Sequence, residues 1–278
     1  MKILSPAKVN LHLEVLEKRT DGYHEIQTLM HRVDLYDQIE IQKGGEGIRL
    51  VAEGEAVPGG MENLAGKAAR LFCQEVGAED DLEIRIRKRI PVGTGLGGGS
   101  GNAATTLMAL NDLLRAGLDD KLLMALGARL GADVPFFIFQ KPALARGKGE
   151  ILTPVKLPAQ LCFLMLVPPF RISTAWAYET YDRLAGKKKE ATPIRDSYPE
   201  VVDLLPVLKN DLELPALTRY PEIGRMKKEL LRKGARGALM SGSGSVVFGL
   251  FADPDEAGRT EQNLEIPPGW KTAIARGI

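Results

Sequence analysis

A mixed α/β chain of about two domains is the fold class this sequence predicts, and three observations carry it. Residues 1–42 alternate in strand fashion: Val9, Leu11, Leu13 and Val15 interleave with Asn10, His12 and Glu14, and Asp21-Gly22 marks a turn. A glycine-dense run, with six glycines between Gly93 and Gly101, leads into Ala103, Leu107, Leu110 and Leu114 at helical spacing. The length, 278 residues, suits two domains with real cores.

In chain order, Ile26 to Val33 and Ile39 to Ile41 continue the strand pattern, and Glu62 to Cys73 reads as a helix followed by Gly77. Leu82 to Lys88 alternates apolar and charged residues, which predicts a half-exposed, antiparallel strand. The helix after the glycine run is expected to take Ser100 or Asn102 as its cap and Gly117 as its stop. Asp119 to Leu130 forms a second helix, capped by Asp119 and ended by Gly131. Phe136 to Phe139 and Ala143 to Gly149 read as strand and turn. Pro154 and Pro158 bracket the expected boundary between a domain of residues 1–155 and one of residues 156–278. Beyond it, Leu161 to Val167 is a buried strand and Ile223 to Arg232 an amphipathic helix. Ala238 to Phe251 forms two strands joined by small residues. The lysines of Gly186 to Pro193 are expected in a solvated loop.

Composition excludes several classes. With 37 basic and 36 acidic residues the net charge is +1, so no global field steers the chain to nucleic acid or an anionic membrane. Cys73 and Cys162 each lie in an apolar run and are expected in the core. Three histidines without H-x-x-x-H spacing leave no His-based metal site. The chain opens directly on strand-like residues, with no signal peptide, and no apolar stretch reaches the ~18 residues of a membrane span. A cytoplasmic protein is expected, as monomer or homodimer.

The glycine run carries the chemistry. Glycines ahead of a helix offer backbone N–H groups without side chains in the way, and the helix start adds roughly half a positive charge. Together they suit a phosphate. A P-loop is excluded, because no lysine opens the helix and the Gly-Lys pairs at 66–67, 147–148 and 186–187 lack the following Ser or Thr. Gly93, Gly95 and Gly98 satisfy the dinucleotide spacing. The half-exposed strand before them, Pro91, and Leu118 where an acid belongs all argue against that fold.

Two further residues stand out. Lys8 lies in an otherwise apolar alternating strand, where burial needs an anion or carboxylate partner. Asp133 follows a helix and precedes an apolar segment read as a strand. An aspartate that takes a hydroxyl proton, with a lysine holding the geometry, is what phosphoryl transfer to an alcohol requires.

Pro91 through Ala104 resembles the P-x-x-x-G-L-G-S-S-A motif of the GHMP small-molecule kinases. The segments S-P-A-K-x-N-L, R-T-D-G-Y-H-E-I-Q-T-L, E-N-L-A-G-K-A-A-R-L, G-A-D-V-P-F and G-K-G-E-I-L-T-P follow one another over residues 5–155. They narrow the resemblance to the branch whose acceptor is CDP-methylerythritol. S-T-A-W-A-Y at 173–178 and Ser241 to Phe248 extend it, and it is weakest across 180–235. The resemblance implies a two-domain α+β fold. Its N-terminal half is like the second domain of ribosomal protein S5, and its C-terminal half is ferredoxin-like.

The resemblance also implies roles. Asp133 corresponds to the catalytic base and Lys8 to the lysine beside the reacting hydroxyl. Asn10 lies near the polar end of the acceptor, and Tyr23, His24 and Tyr178 take the cytosine. ATP lies along Pro91, Val92, Gly93, Thr94, Gly95, Leu96, Gly97, Gly98, Gly99, Ser100 and Gly101, with Asn63 flanking the adenine. Mg2+ accompanies the phosphates, with Ser100 as its protein contact. Two departures accompany these roles: Gly101 stands where many relatives carry serine, and Trp176 competes with Tyr178 for the base. Rival expectations are another GHMP kinase, of homoserine or mevalonate type, and a non-catalytic nucleotide- or RNA-binding protein. The 21–24 turn opposes the first. Balanced charge, and Lys8 together with Asp133, oppose the second.

Overall fold

The computed structural model describes residues 1–54, 60–185 and 190–278. Lys187, Lys188 and Lys189, expected in a solvated loop, lie outside the described residues. The strands are β1 (Lys2–Lys18), β2 (His24–Lys43), β3 (Ile48–Glu53), β4 (Leu82–Arg87), β5 (Ala143–Arg146) and β6 (Ile151–Pro154). They continue as β7 (Cys162–Val167), β8 (Lys209–Asn210), β9 (Gly237–Met240), β10 (Val247–Phe251) and β11 (Lys271–Arg276). The helices are α1 (Leu64–Val76), α2 (Gly98–Leu114), α3 (Asp120–Leu130), α4 (Val134–Phe139) and α5 (Thr174–Leu184). After them come α6 (Val201–Leu204), α7 (Glu213–Arg219), α8 (Pro221–Arg232) and α9 (Pro254–Gln262). Two compact units divide the chain, each assembled from discontinuous stretches.

The first unit comprises Met1–Ala7, Leu35–Val92 and Gly97–Gln140. Its part of β2 pairs antiparallel with β4, and β4 pairs parallel with β3. The half-exposed reading of β4 holds, but the strand is antiparallel on one edge only. Helix α1 buries Ala65, Ala68, Ala69, Phe72 and Cys73, an i, i+3, i+4, i+7, i+8 stripe, and packs on α2. Residues 101–107 of α2 are all buried, so this helix has no solvent stripe over its first half.

Three local expectations are corrected here. Helix α2 begins at Gly98 with Gly97 at the cap position and no side-chain cap, so Ser100 and Asn102 lie inside the first turns. It stops at Arg115, which itself takes the left-handed conformation at φ 53°, rather than at Gly117. Phe136 to Phe139 belongs to helix α4, not to a strand. Pro135 stands in its first turn, where a missing N–H costs nothing.

The second unit comprises Lys8–Asp34, Gly93–Leu96 and Lys141–Ile278. The first part of β2 pairs with β5, which pairs with β6, and β1 runs parallel to β8 through His12 and Leu13. A separate antiparallel sheet has the order β11-β7-β10-β9. Numbered in sequence, that order is 4-1-3-2 with helices after the first and third strands. This is the βαββαβ arrangement of a ferredoxin-like half. Its core gathers Leu164 and Leu166 of β7, Ile223, Met226 and Leu230 of α8, Phe251 and Trp270. Glu14 in β1 accepts hydrogen bonds from Thr192 N (2.8 Å) and Oγ1 (2.6 Å) and from Lys209, fastening the 192 segment to the strand.

Candidate active site

The glycine run uses its glycines for two different reasons. Gly93, Gly95 and Gly97 all have positive φ (71°, 85° and 69°), the region that L side chains rarely adopt. Gly98 and Gly101 are instead forced by contact. A Cβ on Gly98 would lie 2.9 Å from Ile90 Cγ2, and one on Gly101 would lie 2.7 Å from the Pro6 carbonyl oxygen. The serine hydroxyl expected to be missed at position 101 therefore has no room: the position faces the Ser5-Pro6 segment and Phe137.

In the second unit, the carbonyls of Thr94, Gly95 and Leu96 accept from Val246 N (3.1 Å), Ser241 Oγ (3.0 Å) and Lys8 N (2.9 Å). These bonds fix the loop through its carbonyls. In the first unit, Gly97 gives α2 no side-chain cap. Pro91 and Val92 are half-buried, Gly99 is exposed, and Ser100 is half-buried in the first turn of α2. Asn63 is the N-cap of α1, its side chain accepting from Ala65 N at 3.0 Å.

Beneath the start of α2 lies a polar cluster that the sequence reading missed. Lys88 donates to the Asp37 carboxylate and, at 3.0 Å, to Asn102 Oδ1. Asn102 Nδ2 donates to Asp37 Oδ2 and to Ser5 Oγ, each at 3.0 Å. Asp37 Oδ1 accepts from Arg89 N (2.7 Å) and Ile90 N (2.9 Å), the residues just before the loop. The ion pair is almost wholly buried, at 3% and 0% side-chain exposure, which is tolerable only because each polar atom is so well met.

Lys8 is buried, as its functional reading requires, and donates to Asn10 Oδ1. Asn10 Nδ2 donates to Thr28 Oγ1 (2.8 Å), which donates to His12 O (2.6 Å), so a chain of hydrogen bonds fixes the amide that holds the ammonium. Asp133 is half-buried at the cap position of α4, and its side chain makes no capping bond.

The turn residues assemble a third group, in the second unit. Tyr23 is 57% exposed, which excludes a sheet-covering role, and Lys148 Nζ stands 4.7 Å from its ring centroid. His24 stacks on Tyr178 with centroids 4.9 Å apart and planes at 23°. Its Nε2 lies 2.6 Å from Asp182 Oδ1. Trp176 packs elsewhere, edge-on to Tyr220 and beneath the Arg219 guanidinium. Of the two competing aromatics, Tyr178 is thus the one that keeps company with His24. Among the described residues no group of three or more His, Cys, Asp or Glu is arranged to hold a metal ion, and no helix is long and apolar enough to cross a membrane.

Known proteins resemble this chain along its whole length. The GHMP kinases N terminal domain model matches residues 63–141, and the GHMP kinases C terminal model matches residues 194–267. A 4-diphosphocytidyl-2-C-methyl-D-erythritol kinase of Geobacter sp. (strain M21) is 46% identical over 100% of this chain and 99% of that protein. The enzyme of the same name from Syntrophotalea carbinolica is 45% identical over 96% of this chain and 95% of its own length. Among solved structures, a 4-(cytidine 5'-diphospho)-2C-methyl-D-erythritol kinase superposes at TM-score 0.80 with 37% identity, covering 100% of both chains. The Methanococcus jannaschii mevalonate kinase, at TM-score 0.73 and 15% identity over 100% of this chain and 98% of its own, shares the fold.

Proposed function

This chain belongs to the 4-diphosphocytidyl-2-C-methyl-D-erythritol kinase family of the GHMP kinases, an ATP-dependent phosphotransferase, and from that premise we propose how its residues divide the reaction. The reaction is phosphorylation of the 2-hydroxyl of 4-diphosphocytidyl-2-C-methyl-D-erythritol, a step of the non-mevalonate route to isoprenoid precursors. Residues 1–155 carry the nucleotide loop and the reacting groups, and residues 156–278 form the second half. The two matched stretches fall one in each.

The ATP phosphates lie along Pro91 to Gly101, with backbone N–H groups as donors, and Asn63 flanks the adenine. The acceptor's cytosine lies with Tyr23, His24 and Tyr178, and Asn10 holds Lys8 near its polar end. Asp133 takes the proton of the acceptor hydroxyl as that oxygen bonds to the γ-phosphorus. The bond from phosphorus to the β–γ bridging oxygen breaks and ADP leaves. Lys8 stabilises the developing charge. Chemistry of this kind rests on positioning and electrostatics, with no covalent enzyme intermediate.

The half-buried Ser100 in the first turn of α2 offers a hydroxyl beside the phosphate loop, and a Mg2+ carried on the nucleotide phosphates would be held there and would neutralise phosphate charge.

The observation that carries the proposal is the buried Lys8 ammonium, oriented through Asn10 and Thr28 in a way a surface lysine never is. Replacing Asp133 by Asn tests it: turnover falls about 10²–10⁴-fold, the usual contribution of a general base. A folded variant with near-normal turnover sinks the assignment. An ADP-release assay with CDP-methylerythritol, homoserine and mevalonate in parallel decides the acceptor, and only the first should support turnover.

A further inference from the structure

We propose that Asp182 is the positioning residue that makes His24 accept a hydrogen bond from an amino group on the acceptor's base. This rests on the cytidine-acceptor reading above and deepens it.

Asp182 lies in α5, one turn beyond Tyr178, so the two share a helix face. Its Oδ2 accepts from Lys18 Nζ at 2.8 Å and its Oδ1 sits 2.6 Å from His24 Nε2. Lys18 ends β1 and His24 begins β2, so one carboxylate ties both flanks of the turn that carries Tyr23. Burial pushes the Asp182 carboxyl up, but the bonds from Lys18 and His24 outweigh it and hold it below the usual range.

An ionised carboxylate only accepts, so the proton between the two groups must sit on His24 Nε2. A neutral imidazole with Nε2–H has a bare lone pair on Nδ1. The ring is held flat against Tyr178, and turning it over would break the bond to Asp182. In the neutral ring this arrangement locks Nδ1 as an acceptor. A base edge bearing an amino group, as in cytosine, satisfies that acceptor. One bearing a carbonyl at the same place, as in uracil, sets lone pair against lone pair. Polar readout of this sort discriminates far better than shape.

The test uses the whole enzyme and two acceptors, CDP-methylerythritol and its uridine counterpart. Nitrogen-15 NMR of histidine-labelled wild type reads the tautomer directly, with Nδ1 expected to be unprotonated. In Asp182→Asn the side-chain amide can accept from or donate to the ring, so neither tautomer is imposed; Asp182→Ala removes the partner altogether. Both variants should raise KM for the cytidine acceptor about ten-fold with kcat and the KM for ATP moving little, and cut the cytidine-to-uridine preference by at least about ten-fold. Asp182 is partly exposed, so both should fold. A proton on Nδ1 in the wild type, or an unchanged base preference in both variants, overturns the inference while leaving the kinase intact. No turnover of CDP-methylerythritol by wild type overturns the acceptor reading and the inference together.

Discussion

The polar cluster beneath the start of α2 and the aromatic cluster at the β1–β2 turn solve recognition in opposite ways. Lys88, Asp37, Asn102 and Ser5 are all buried, and their hydrogen bonds run to one another and to the backbone of Arg89 and Ile90. Tyr23 and Asp182 are partly open to solvent, and their contacts are a ring stack, a cation over a ring and an ion pair. The first arrangement admits one geometry, which suits a phosphate loop whose N–H groups must be aimed in advance. In the second, His24 is held by Asp182 and Tyr178 while the exposed Tyr23 ring can adjust, which suits stacking on a flat base. In the proposed division of the reaction, rigidity falls with the phosphate loop and adaptability with Tyr23.

Breaking the buried cluster should produce the largest effect. Lys88→Met leaves the Asp37 carboxylate buried without its cation and should cost about 3–5 kcal/mol, read as a lower urea midpoint at unchanged m-value. A loss below about 1 kcal/mol would show that the cluster tolerates rearrangement after all. Gly101→Ser presses a side chain on the Pro6 carbonyl and should cost about 1–3 kcal/mol, with loss of phosphate-loop geometry seen as a higher KM for ATP. A serine accommodated without loss would mean that β1 and α2 can separate.

On the adaptable side, Tyr23→Ala should weaken acceptor binding by about 1–3 kcal/mol without changing stability or the KM for ATP. A stability loss instead would return Tyr23 to a structural role.

The smallest effect concerns Glu14. Its burial raises the carboxyl pKa, but Lys209 and Thr192 more than compensate and hold it at about 2 against an ordinary 4.5. The stabilisation is present above pH 4.5 and is lost as pH falls from there through about 2, so Glu14→Gln should flatten the acid limb of the stability curve in that window. An unchanged acid limb would show that Glu14 is no better held when folded than when unfolded.

Much of this was legible in the chain, for reasons that differ by region. Asp37 shares its strand face with Ile39 and Ile41, and Lys88 continues the buried face of Leu82, Ile84 and Ile86. The β2–β4 register pairs Gln38 with Arg87, so the next step sets Asp37 opposite Lys88. Two opposite charges on the buried faces of neighbouring strands are the signal the sequence carries for this pair. The six-residue run from Val134 was misread because so short an apolar stretch carries no period, and only Pro135 hinted at a helix start. Ser100 and Asn102 are the better caps by propensity, but the backbone at the cap position takes a left-handed form, which glycine adopts without a Cβ penalty. Asp182 was out of reach: its partner His24 is 158 residues away, and nothing local distinguishes it from a solvated helix acid.

Residues 8–34 belong to the same compact unit as residues 141–278, while the stretch between them builds mostly the other unit. A ribosome therefore releases the paired β1 and β2 long before their outer neighbours β5 and β8 exist: Val15 N waits for the Asp211 carboxylate, 196 residues later. The unit proposed to read the acceptor closes late, through loops of high entropic cost, and slow folding with an aggregation-exposed outer edge of β1 follows. A fragment ending near residue 155 should accordingly be insoluble on its own, and truncation of the last strand should harm expression more than its place at the chain's end suggests.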